Sequence, residues 1–140
     1  MADTQTLKLN VVTPERSILK DTLVESLVLP GAMGQFNVLP QHTNFITTLA
    51  HGVFGYRING EWQIAFLSGG FTQVFAGEVT VLAETVEMAA ELDAAKAESE
   101  LQSLNAKLKA AKAGTDEYTV LALAADQAGA RVKAAQKKLH

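Results

Sequence analysis

The chain has no cysteine and only 3 prolines in 140 residues. Without thiols there is no disulfide framework and no thiolate metal site, and the redox compartment stays open. A charge excess of one sign is also missing: 12 lysines and arginines against 15 aspartates and glutamates leave a net charge of −3. That balance offers no clustered basic surface for nucleic acid. No apolar run approaches the roughly 20 residues that cross a bilayer. The first ten residues, Met1 to Asn10, have neither a signal-peptide core nor the Arg- and Ser-rich pattern of a transit peptide. These absences predict a protein that stays where it is made and meets a membrane only through partners.

What is present changes character along the chain. From Leu7 to about Ala83 the pattern is β. Leu7, Leu9 and Val11 alternate with polar residues until Thr13-Pro14, and Leu23 to Leu29 reads as a further strand. Phe54, Tyr56 and Ile58 alternate, Asn59-Gly60 follows, and Trp62, Ile64 and Phe66 alternate again. Asn-Gly there predicts a type I′ hairpin, because both central positions need φ > 0. Ser68-Gly69-Gly70 reads as a break, and Phe71–Phe75 with Glu78–Ala83 as a hairpin about Ala76-Gly77. Every aromatic except Tyr118 lies in this half, which therefore holds the core. Short strands with turn signals between them predict an antiparallel β-sandwich or barrel.

The densest turn chemistry is Leu29 to His42. Pro30-Gly31 reads as a turn, Gly34 as a second flexible point, and Asn37 tolerates a left-handed backbone. Phe36, Val38 and Leu39 ask for burial, and Pro40 marks a strand end. The expectation is a loop leaving the sheet, a short strand and a second corner ending at His42, in the position where contacts to other molecules usually sit.

After about Met88 proline vanishes and alanine, leucine, glutamate and lysine take over. Ala90, Ala94, Ala97, Leu101, Leu104, Leu108 and Ala111 recur at helical steps, as do Tyr118, Leu121, Ala125, Ala128, Val132, Ala135 and Leu139. Gly114 suits a helix end, and Thr115 or Asp116 a helix start. The short turn forces an antiparallel hairpin. Its predicted register sets Leu108 by Leu121, Leu104 by Ala125, Leu101 by Ala128, Ala97 by Val132 and Ala90 by Leu139. Small residues line so much of the seam that the hairpin depends on docking to something else.

Catalytic signals are few. Leu67-Ser68-Gly69-Gly70-Phe71 lacks the Gly-Lys-Ser/Thr of a phosphate loop, His42, His51 and His140 have no metal-ligand spacing, and no Gly-x-Ser-x-Gly elbow occurs. Glu84, Glu87, Glu91 and Asp93 fit the start of the first helix, and Arg131, Lys133, Lys137 and Lys138 the end of the second, through the helix dipole. A small β-sandwich hydrolase with the helices as a lid remains a rival; it requires a concave pocket with convergent polar groups.

With these residues in place, the chain resembles the epsilon subunits of rotary F-type ATP synthases. Leu9-Asn10-Val11-Val12-Thr13-Pro14-Glu15-Arg16, Gly34 through His42, and Leu67-Ser68-Gly69-Gly70-Phe71 leading into Val79 to Glu84 carry the likeness. The resemblance implies an α+β fold, an N-terminal antiparallel β-sandwich of about ten strands followed by a C-terminal two-helix hairpin. The division falls at residues 1–86 and 87–140. It implies a non-catalytic rotor subunit without cofactor, on the cytoplasmic face of a bacterial inner membrane or the stromal side of a thylakoid. Its partners would be the gamma subunit, the c-subunit ring, and the alpha and beta subunits when the hairpin extends to restrain hydrolysis. Gly31, Ala32, Met33, Gly34, Gln35 and His42 match ring-facing positions, Gln35 standing where some members carry an acid. Arg131, Lys133, Lys137 and Lys138 match the cations that meet beta. An alternative is an ATP-sensing module using Asp93, Lys96 and Arg131. Here Lys96 stands in the family's arginine position, without the planar fork that grips phosphate.

Overall fold

A computed structural model describes residues 6–40 and 44–139. Strands run in the order β1 (Leu7–Val12), β2 (Ser17–Val24), β3 (Ser26–Gly31), β4 (Gly34–Val38), β5 (Phe45–Leu49), β6 (Gly52–Ile58), β7 (Glu61–Phe75) and β8 (Glu78–Met88). A 3₁₀ turn, Ala89–Glu91, leads to helices α1 (Ala94–Ala110) and α2 (Asp116–Ala135). All 8 strands join one hydrogen-bonded sheet, and every pairing is antiparallel except β1 with β8. The sheet curls back on itself, so that Leu7, Leu9, Leu29, Phe54, Leu67 and Val81 from both layers meet in one core. This is the expected β-sandwich with its helical hairpin.

The 8 strands among the described residues are near the anticipated ten, with β7 and β8 long enough to serve both layers. The glycine pair anticipated as a break lies inside β7. Before it Ala65 and Leu67 point into the core, and after it Thr72 and Val74 do. Inward parity therefore flips while the pairing with β8 continues on either side, Ser68 with Thr85 and Gly70 with Ala83. Gly69 and Gly70 make the flip possible with φ of +60° and +116°. A Cβ on Gly70 would lie 1.8 Å from the Leu82 carbonyl oxygen. Across the same line β5 hands over to β6, each pairing with its own part of β7.

Several local readings hold. Asn59 and Gly60 take φ of 52° and 79°, and Ala76 and Gly77 take 51° and 78°, as primed hairpin turns require. The first corner is displaced. Pro30 and Gly31 belong to β3, pairing with Gln35 and Gly34, and the turn is the two residues Ala32 and Met33. Leu39 is exposed rather than buried, and Asn37 keeps an extended backbone in β4. The strand beginning at Ser17 has no clean alternation in its sequence, since Lys20 and Asp21 are both exposed and its pattern of burial is irregular.

Asp93 caps α1, accepting from the Lys96 amide, and Thr115 caps α2, accepting from the Tyr118 amide. Gly114 has a φ of +88° but stands in the connecting turn, since Ala111 closes α1. Ala97, Leu101, Leu104 and Leu108 are the less exposed positions of α1, and Ala125, Ala128 and Val132 are buried on α2, as the seam predicts. The proposed partnership of Ala90 and Leu139 fails. Ala90 is exposed in the 3₁₀ turn, and α2 stops at Ala135 before reaching Leu139.

Candidate functional site

The hairpin lies against the sandwich, and α2 is the helix that touches it, over β6, β7 and the 3₁₀ turn. Val53, Ile64, Phe66 and Ala89 form an apolar cluster there with Ala134, supported by Leu92, Ala130 and Leu139. Alanine at 130 and 134 lets the helix axis approach the sheet closely. Around this cluster sit three polar contacts. Arg131 Nε donates to Glu87 Oε1 at 2.8 Å, and its guanidinium carbon lies 4.6 Å from the centre of the buried Phe66 ring. His51 Nε2 is 2.8 Å from Asp126 Oδ2. The Gln35 side-chain amide donates to the Leu139 carbonyl.

Leu139 reaches this position because α2 ends in a reversal. Lys137 takes a φ of 60°, its amide bonds to Ala134 O at 2.9 Å, and the Lys138 amide bonds to Lys133 O at 2.9 Å. This is the double-bonded Schellman ending, with a lysine in the place usually held by glycine. The tail then turns back onto the sandwich. A Cβ on Gly55 would come within 2.5 Å of Leu139 Cδ2. Tail, α2 and the β3–β4 corner enclose a groove of about 770 Å³ whose walls include Gly34, Gln35, His51, Asp126, Lys133 and Lys138.

The corner itself projects. Met33 is 100% exposed at its tip, and a side chain on Gly31 would collide with Gly34 O at 2.8 Å and the Phe36 ring at 2.9 Å. Gly31, Ala32, Met33, Gly34 and Gln35 thus form one rigid tip braced on β5 by Ala32 N to Thr48 O and Ala50 N to Pro30 O. His42 lies outside the described residues. The basic set does not share one face: Arg131 is engaged with Glu87, Lys133 and Lys138 border the groove, and Lys137 forms the reversal. Lys137 and Lys138 stand past the helix end, so only Lys133 is a last-turn cation. Of the acidic set, Glu84 and Glu87 belong to β8, Glu91 reaches back to the Met88 amide, and only Asp93 sits at the α1 start. For the nucleotide alternative, Asp93 is occupied as a cap and Arg131 by Glu87 and Phe66.

The docking groups Gly55, Phe66, Glu87, Asp126 and Leu139 were not legible as a site. Their partners lie 44, 75 and 104 residues away in the chain, and no local pattern marks such pairs. The groove offers little chemistry. Among the described residues no serine, threonine or cysteine lines it, so its His51–Asp126 pair has no hydroxyl or thiol beside it. The phenol of Tyr56, pushed up by burial, sits in the core instead. Among the described residues no group of three or more His, Cys, Asp or Glu side chains converges as metal ligands would, and no helix is long and apolar enough to cross a membrane.

The other outer face of the sandwich is bare. Ile46 on β5, Phe71 and Phe75 on β7 and Leu82 on β8 are exposed, Ile46 at 64% and Phe75 at 60%. Phe71 pairs with Leu82 on one side and with Thr48 on the other, and Ile46 pairs with Gln73, so the four form one apolar patch. Among the described residues nothing covers it.

A family model described as the ATP synthase delta/epsilon chain, beta-sandwich domain, matches residues 6–89. An ATP synthase epsilon chain from Synechococcus sp. (strain WH7803) is 35% identical over 135 residues, covering 94% of this chain and 98% of that one. One from Prochlorococcus marinus (strain NATL1A) is 39% identical over 103 residues, covering 74% of this chain and 76% of that one. In solved structures, a chain of the Euglena gracilis mitochondrial ATP synthase, OSCP/F1/c-ring, superposes with a TM-score of 0.78 at 20% identity, covering 100% of this chain and 85% of that one. At that identity the superposition shows the fold.

Proposed function

The chain belongs to the ATP synthase epsilon-chain family, and we propose that it is a central-stalk subunit of that rotary machine that works without catalysis, as a coupling piece with two outer faces. The bare face of Ile46, Phe71, Phe75 and Leu82 docks on the gamma subunit. The tip Gly31 to Gln35, with His42, meets the polar loops of the c ring. The hairpin is the regulatory part; β8 runs to Met88, so it begins after that strand and not at residue 87, and the subunit reaches the cytoplasmic or stromal membrane surface only through these partners.

The observation that carries this reading is the asymmetry of the sandwich: one outer face is covered by α2, and the opposite one leaves a contiguous apolar patch in water. Such a patch on a folded body marks a protein interface. When the hairpin leaves the sandwich, Arg131 is freed from Glu87 and joins Lys133, Lys137 and Lys138 as cations for an acidic surface of beta. Nucleotide sensing through Asp93, Lys96 and Arg131 is the weaker reading, because in the docked hairpin Asp93 and Arg131 already have partners.

The test is a pull-down with purified gamma. Phe71→Glu and Leu82→Glu point outward and leave the core intact, so each variant should melt near the native temperature yet bind gamma at least about tenfold more weakly. Native affinity in both variants would remove the face assignment.

A further inference from the structure

The corner and the end of the chain are one contact. The Schellman reversal at Lys137 sends the tail back over the sandwich, Leu139 fills the space that Gly55 leaves by having no side chain, and the Leu139 carbonyl takes its hydrogen bond from Gln35. Pro30, Gly31 and Gly34 wall the same groove as Lys138 and Leu139. The tail therefore sits as a bound peptide would, an apolar anchor in a hole and a backbone carbonyl on a side-chain donor, preceded by two lysines. Gln35 lies beside the exposed tip that a partner meets; its amide keeps a second N–H, but the tail fills the groove on this side of the corner, so a partner that docks against the same side of Gln35 must displace Leu139.

We propose that the C-terminal tail is an intramolecular ligand of the β3–β4 corner, and that a partner engaging Gln35 competes with it and loosens the docked hairpin. The partner's identity as the c ring rests on the function proposed above. The linkage is reciprocal: whatever weakens the tail contact also frees the corner for its partner. Information thus passes between the base of the subunit and its regulatory hairpin through one side chain, without deformation of the sandwich.

The lack of native cysteine makes the test direct. Dyes on Lys20→Cys in β2 and Ser103→Cys in α1, both exposed, report docking by energy transfer in the full chain. In the free protein, Gln35→Ala should raise the undocked-to-docked ratio about fivefold and Leu139→Ala about tenfold or more. No change in either variant would overturn the role of the tail. In the assembled synthase Gln35→Ala should then have no effect on docking, because the partner has already displaced the tail. A fivefold effect persisting in the assembly would overturn the competition. Cross-linking from Met33→Cys to the ring loops examines the partner separately. Its failure, with the Gln35 effect still lost on assembly, would remove the ring as competitor and leave the competition standing with another subunit.

Discussion

Arg131 illustrates how one side chain can have a different meaning in isolation and in place. By position it is a cation near a helix end, free for an acidic partner. In the fold its guanidinium carbon sits over the Phe66 ring, 4.6 Å from the centre, and its Nε donates to Glu87, so it fastens α2 to the sandwich. Planarity matters for this: lysine keeps the charge but not the stacking. Arg131→Lys should weaken docking by about 1 kcal/mol and Arg131→Ala by more, read from hydrogen exchange of the α2 amides. Equal protection in all three proteins would show that the contact contributes nothing. Gly70 is the second decisive residue. With φ at +116° and the Leu82 carbonyl 1.8 Å from any Cβ, Gly70→Ala has no room and an unfavourable backbone. The β-body should lose about 3 kcal/mol or more in chemical denaturation. A loss under about 1 kcal/mol would mean that β7 can bend there by another route.

Among the elements, α2 carries the greater burden. Its Ala125, Ala128 and Val132 are buried along the seam with α1, and Ala134 with Arg131 turns to the sheet. Two faces of small residues let a single helix pack closely on both sides. Ala134 is completely buried, so Ala134→Leu has no space and should undock the hairpin, costing about 1–3 kcal/mol of docking while the β-sheet melts unchanged. The measurement is energy transfer between the body and α1, and an unaltered signal would show that the contact is looser than its burial indicates. The helical seam was legible beforehand because step size along a helix is a local property. The outer, sheet-facing stripe was not, since alanine serves equally on a solvated face, and only the neighbour decides.

At the scale of the whole molecule the two parts are unequal. The β-body holds the aromatic core, whereas the hairpin has one buried seam and a modest contact with the sheet. A chain ending at Ala89 should therefore fold and keep gamma binding, but with Val53, Ile64 and Phe66 newly in water it should melt at a lower temperature and bind hydrophobic dyes. A truncated chain that stays unfolded would show that the hairpin is part of the core. The bare face of Ile46, Phe71, Phe75 and Leu82 is unaffected by that cut, so the proposed gamma contact should persist when the proposed regulation by the hairpin is lost.

Alternation from Leu7 to Val11, the Asn59-Gly60 and Ala76-Gly77 turns, the aromatic bias and the two Ala/Leu periodicities determined a β-sandwich with an appended hairpin, because propensity, period and turn chemistry act between near neighbours. Family membership was equally readable, since it resides in residue order. The tertiary structure alone decided that Gly69-Gly70 flips a strand instead of ending it, that Arg131 binds Glu87, and that the tail returns to Gln35. Each of these depends on surfaces brought together from separate segments of the chain. The energy of such contacts is set by fit and desolvation at the meeting point, and neither partner's local sequence records it.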